Sequence, residues 1–133
     1  MSAWASRYVG LPFVDGGRDG DGADCWGLAR LVYAQELAIE LEDRRGDYRA
    51  ADGATVEAVI QAGIGPQGWI RVDRPNPFDM ILMRQGRHAS HVGVAIDQRM
   101  MLHAAHDGAI IEPYTGAIWS RRILAFYRHS NRI

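Results

Sequence analysis

Asp24-Cys25-Trp26-Gly27-Leu28 is the stretch on which the reading of this chain turns, and it holds the only cysteine in 133 residues. An acidic, glycine-rich run leads into it: Gly16-Gly17-Arg18-Asp19-Gly20-Asp21-Gly22-Ala23. Behind it, Leu28, Leu31, Val32 and Leu37 recur with the spacing of an apolar helix face. The pattern predicts a loop ending at a helix start, with Asp24 as N-cap and Cys25 in the first turn. Unpaired N–H groups and the positive end of the helix dipole favour a thiolate at that place. A reactive thiol is one reading. A merely buried thiol is the other, because free cysteines are among the most buried residues.

Outward from that stretch, the composition bounds the answer. At this length a single domain over residues 1–133 is expected, with one core. A net charge of −1, from 15 basic and 16 acidic side chains, gives no electrostatic footprint for nucleic acid. One cysteine excludes an intrachain disulfide. Residues 1–7 lack the basic start and apolar run of a signal peptide. No segment reaches the ~18 continuous apolar residues of a membrane span. The expectation is synthesis in the cytoplasm without a signal peptide, with any export by another vehicle.

Along the chain, residues 4–13 predict a short helix that stops before Pro12, because the residue preceding proline disfavours helix. In the loop 15–22, Asp19 and Asp21 imitate calcium-loop positions, but Ala23 takes the next one and no glutamate closes the loop. The helix from Asp24 is predicted to reach about Leu41, and residues 40–47 read as a solvated turn. Val56, Val59 and Ile60 predict a second helix over 54–62, with Gly63 as C-cap. Residues 63–68 and 74–77 read as loops. From Phe78 onward the period becomes that of strands, over 79–84, 91–97, 99–104, 109–114 and 122–129. Helices first and short strands afterwards predict an α+β domain, N-terminal helices packed on an antiparallel sheet of about five strands.

A hairpin between 91–97 and 99–104, turning at Asp97, sets His91 opposite His103 on one face. Alternation then assigns Val92, Val94, Ile96, Met100 and Leu102 to the core face. Gly93 and Ala95 leave room on the histidine face, and the helix from Cys25 is expected to pack there. Each histidine alone reads as an ordinary strand residue; paired beside a lone thiol, a catalytic set stands level with that reading. Zinc is the chemical rival through His88-x-x-His91 and His103-x-x-His106. Residues three apart in a strand point to opposite faces, and no second cysteine completes a structural site. No metal or cofactor is therefore expected, and His88, His106 and His129 read as surface or loop residues.

With these residues in place, the chain resembles the NlpC-type cell-wall peptidases, circularly permuted relatives of papain. The resemblance rests on Leu11-Pro12-Phe13-Val14-Asp15-Gly16-Gly17, Asp24-Cys25-Trp26-Gly27-Leu28, Pro77-Phe78-Asp79-Met80-Ile81-Leu82-Met83, His91-Val92-Gly93-Val94 and Leu102-His103-Ala104. Order and spacing agree from about Tyr8 to Tyr127. The short form with Trp after the cysteine is similar to members carried in phage tail modules and gene transfer agents. What the resemblance implies is a Cys25 nucleophile, His91 as base and His103 as the residue orienting it. It also implies a substrate groove involving Phe13, Asp15 and Trp26. The implied substrate is the D-γ-glutamyl–diaminopimelate amide of peptidoglycan stem peptides, and the implied partners are tail-tip or hub proteins of a phage-like particle.

Three positions depart from the family pattern. Phe13 stands where many members carry a tyrosine whose hydroxyl assists the oxyanion, and losing one such donor costs about 2.7–4 kcal/mol in a serine protease. Trp26 replaces a small residue, so it is expected to shape or block the groove. Pro77-Phe78-Asp79 replaces Pro-Gly-Asp, a change confined to the turn. The first departure sustains a rival reading, a structural tail-tip or tail-assembly protein of the same fold. A third reading keeps the same residues for an amidase or acyltransferase with another substrate.

Overall fold

In the computed structural model, which describes residues 3–42, 44, 52–63 and 68–132, three helices precede the main sheet, and a short two-stranded ribbon lies between the first two helices. The order is α1 (Ala3–Ser6), β1 (Arg18–Asp19), β2 (Gly22–Ala23), α2 (Cys25–Leu37), α3 (Gly53–Gly63), β3 (Trp69–Val72) and β4 (Met80–Gln85). Then come β5 (His88–Ala95), β6 (Met100–Ala105), β7 (Gly108–Pro113) and β8 (Ile123–His129), with a 3-10 turn over Ser130–Arg132. Strands β3 to β8 form one antiparallel sheet in the order β3-β8-β4-β5-β6-β7. This is the expected α+β fold, its main sheet one strand larger than predicted and the β1–β2 ribbon unforeseen. The additional sheet strand, Trp69–Val72, is four residues long and pairs at the edge with β8.

Both N-terminal helix expectations are shortened. The first helix ends at Ser6, and the chain beyond it joins the sheet instead. Gly10 N–H and Leu11 C=O each bond Ala109 on the edge of β7 at 2.8 Å. The second ends at Leu37 rather than Leu41, because Ala38 turns left-handed (φ +55) with its N–H on Tyr33 C=O. The chain then folds back so that Leu41 is buried in the core and its carbonyl accepts from Arg30 Nε. The glycine-acid loop is in part a tight ribbon, with Asp19 opposite Gly22 and Asp19 Oδ1 accepting Asp21 N–H at 2.9 Å. Of the expected turn over 40–47 and loop over 63–68, residues 43, 45–47 and 64–67 lie outside the described residues.

Two corrections concern the sheet. Its β5–β6 register pairs Gly93 with His103 and Val94 with Leu102, so His91 and His103 are diagonal rather than directly opposed. Asp97 opens the turn instead of sitting at its apex, since Oδ1 caps the N–H groups of Arg99 and Met100 at 2.8 and 2.7 Å. The slip is by two residues, and a slip of two leaves every side chain on its predicted face. The second correction is the face that α2 covers. Leu28, Ala29, Val32 and Tyr33 share a core with Val92, Val94, Leu102 and Ala104, the face away from the histidines. The space beside Gly93 is filled from within the sheet. A Cβ there would meet the side chains of Met101 and Met83 at 3.1 Å. The histidine face has its own core of Ile81, Met83, Ala95, Met101, Tyr114 and Trp119.

Candidate active site

Asp24 caps α2 as expected, its Oδ1 accepting Gly27 N–H at 2.8 Å. Its other oxygen accepts Gly16 N–H at 3.0 Å, and Arg18 Nη1 lies 3.0 Å from Oδ1. Both charged side chains are 2% exposed. Gly27 is required here, because a Cβ would stand 1.9 Å from Gly17 C=O. The glycine-rich loop is thus tied to the helix start, and Cys25 follows as the first helical residue.

The thiol stands where the sheet opens. Ala95 bonds on its β4 side, donating to Asp79 C=O and accepting from Phe78 N–H at 2.8 Å. Backbone direction alternates along a strand, so Ser90 and Val92 face β6. The β5–β6 ladder, however, stops at Gly93 and His103. Cys25 Sγ takes the vacated place, 3.9 Å from Ser90 C=O and beside Val92 N–H.

On the far face, His91 Nε2 lies 2.8 Å from His103 Nδ1, and His103 Nε2 lies 2.6 Å from Glu112 Oε2. Trp119 stacks on His91 at 5.5 Å and 16° and meets His103 edge-on at 5.1 Å. Cys25, His91, His103 and Glu112 all line one cavity of about 680 Å³. No hydrogen bond joins the thiol directly to His91 among the described residues, which is common in unliganded sites.

Of the expected groove residues, Phe13 and Asp15 line this cavity. Trp26 does not: it is buried, and its indole N–H donates to Glu42 C=O at 2.7 Å. Trp26, the second helical residue, instead ties the segment after α2 to the helix start. His106, expected at the surface, is exposed but lines the cavity. His88 turns to Glu57 at 3.3 Å while His91 turns to His103, so the first pair of the zinc rival is split between two partners. Glu112 and Trp119 were missed by sequence reasoning. The signal for Glu112 was an acid closing the apolar run Gly108-Ala109-Ile110-Ile111; Trp119 lies between strands and gave none.

Burial pushes the Cys25 thiol up to about 12, with the Asp24 carboxylate adding to it and the Val92 and Trp26 N–H groups opposing. Burial likewise pulls His91 down to about 3, with repulsion from His103 second. The thiolate expected from the helix terminus is therefore overturned, because desolvation of the anion outweighs the dipole. At neutral pH both groups are uncharged in the free protein. Alkylation of Cys25 by iodoacetamide is expected to be slow at pH 6–7 and to climb continuously above pH 9. A rate already at its plateau by pH 6 would contradict the buried neutral thiol.

Comparisons with known proteins bear on the family and the fold. The model of the NlpC/P60 family matches residues 10–128. Protein P54 of Enterococcus faecium is 28% identical over 106 residues, covering 80% of this chain and 18% of that protein. A probable endopeptidase p60 of Listeria innocua is 23% identical over 128 residues, covering 96% of this chain and 24% of that one. The chain thus spans about a fifth to a quarter of these relatives. The crystal structure of the NlpC/p60 domain of the peptidoglycan hydrolase SagA aligns with a TM-score of 0.63. It is 22% identical, with 95% of this chain and 93% of that one covered.

Proposed function

The chain belongs to the NlpC/P60 family, and on that premise we propose that it is a cysteine peptidase acting on peptidoglycan stem peptides. The observation that carries the reading is the convergence of Cys25, His91 and His103 on one cavity, the thiol at a helix start. His91 Nε2 is engaged by His103, leaving Nδ1 to serve as base. The thiol proton passes to Nδ1 as sulfur attacks the amide carbonyl, and the same proton then leaves with the amine. Water hydrolyses the thioester in the reverse sense. The Cys25 N–H, which has no acceptor within its helix, is available to the oxyanion, while Phe13 brings no hydroxyl to it.

The bond we propose is the D-γ-glutamyl–diaminopimelate amide, and the setting a phage-like tail whose tip or hub proteins carry the domain to the wall. The family resemblance and the short form of the motif support both. One observation favours the rival, a structural tail component with little turnover: a cavity-lining phenylalanine instead of tyrosine, beside a thiol held neutral. Incubation with purified muropeptides, read by mass spectrometry, separates the two. Cleavage is expected from the native chain, none from Cys25→Ala, and faster cleavage from Phe13→Tyr. Muropeptides left intact by the native chain and by Phe13→Tyr would refute the peptidase.

A further inference from the structure

We propose that Glu112 is a positioning residue that sets the tautomers of both histidines and thereby selects His91 Nδ1 as the base. The inference rests on the peptidase reading for its consequence, but on geometry alone for its substance. An ionised carboxylate only accepts hydrogen bonds. Glu112 Oε2, 2.6 Å from His103 Nε2, therefore places the His103 proton on Nε2. In a neutral imidazole the other nitrogen is then an acceptor. His103 Nδ1 accepts from His91 Nε2 at 2.8 Å, which leaves the lone pair of His91 on Nδ1. One carboxylate thus fixes two rings in series, since the hydrogen bond at one nitrogen decides the state of the other.

The geometry around the pair leaves little freedom to rearrange. His103 is 2% exposed, and Trp119 lies flat on His91 while meeting His103 edge-on. Glu112 is a quarter exposed, so its charge is anchored at the cavity wall rather than sealed within the sheet. When the thiol proton moves to His91 Nδ1, the ring carries protons on both nitrogens. Nε2–H still donates to His103, and His103 Nε2–H still donates to Glu112. No proton has to leave the chain of rings, and the carboxylate offsets the charge that appears on His91.

The test has two readouts. Histidine 15N spectra of the folded protein at pH 7 are expected to show both rings protonated at Nε2. Glu112→Ala is expected to abolish that single tautomer and to lower kcat on muropeptides roughly ten- to a hundredfold with KM little changed, the range seen when outer partners of ligating histidines are removed. Glu112→Gln keeps an acceptor oxygen, so it is expected to retain the tautomer and to recover part of kcat. Unchanged ring spectra in Glu112→Ala would overturn the inference, whether or not the protein hydrolyses muropeptides. Absence of hydrolysis by the native chain would refute the peptidase while leaving the tautomer result standing. If Glu112→Ala does not fold, Glu112→Gln decides through iodoacetamide alkylation of Cys25 at pH 7. Slower alkylation than native is expected from the missing charge, and a native rate would overturn the role.

Discussion

His91→Gln is expected to lower kcat on muropeptides by about 10⁴-fold or more, and in the same protein to flatten the loss of stability on acidification. The first effect follows from the proposed role of His91 as base; loss of the corresponding histidine from a hydrolase triad costs on the order of 10⁶ in kcat. The second follows from the burial that lowers His91 to about 3, against about 6.5 in an unfolded chain. Between those values the unfolded chain binds a proton that the native ring refuses. Stability therefore rises with pH across that window and is lost as pH falls from about 6.5 toward 3. Each unit of difference is worth about 1.36 kcal/mol, so the full window amounts to several kcal/mol. Cys25 acts at the other end: with its thiol pushed up to about 12, stability falls as pH rises past about 8.5. Urea midpoints at intervals from pH 4 to 10 check both limbs. An acid limb equally steep in His91→Gln, or turnover within tenfold of native, would contradict the assignment. His103, also lowered by burial with Glu112 opposing, leaves a residual slope.

Arg18→Ala is expected to cost 3–5 kcal/mol, roughly the range for breaking one side of a buried ion pair. Arg18 and Asp24 are each 2% exposed and 3.0 Å apart. Removing the guanidinium leaves a buried carboxylate supported by the N–H groups of Gly16 and Gly27. Asp24 immediately precedes Cys25, so under the proposed function the damage reaches turnover as well as stability. Arg7→Ala is the control: its pair with Glu36 has the arginine 65% exposed, and exposed pairs contribute about 0–1 kcal/mol. Urea denaturation of the two variants beside the native chain makes the comparison. Equal, small losses would mean that the Arg18–Asp24 pair is not desolvated in solution.

The parts of the site legible in the sequence are those fixed by local rules. Asp24 and Cys25 could be placed because an N-cap depends on a few neighbouring residues. His91 and His103 shared a face as predicted, although the turn began rather than centred at Asp97, because alternation tolerates an even slip. The face covered by α2 was misread because an open strip of small residues does not say what fills it; here Met83 and Met101 do. The thiol's protonation was misread because a helix start is visible in sequence and burial is not. Trp26 illustrates the same limit: its neighbour in the chain is Cys25, but its hydrogen-bond partner is Glu42. Phe78 shows how a sequence departure is absorbed. It adopts φ +75, where glycine is at ease, and stacks on Trp4 at 4.4 Å.

The two halves of the site also differ in the length of chain each must close. His91 to His103 spans 12 residues and His103 to Glu112 spans 9, all within consecutive hairpins. Cys25 meets Ser90 across 65 residues. Loop-closure entropy grows as about (3/2)RT ln n, so the thiol's closure costs about 1.5 kcal/mol more than the histidine pair's. The His91–His103–Glu112 relay is a property of one meander, whereas Cys25 depends on docking of a distant helix. Loosening that dock would separate sulfur from the β5 edge while leaving the three relay side chains in register. The domain thus carries its histidine pair as a local fixture and its thiol as a long-range one.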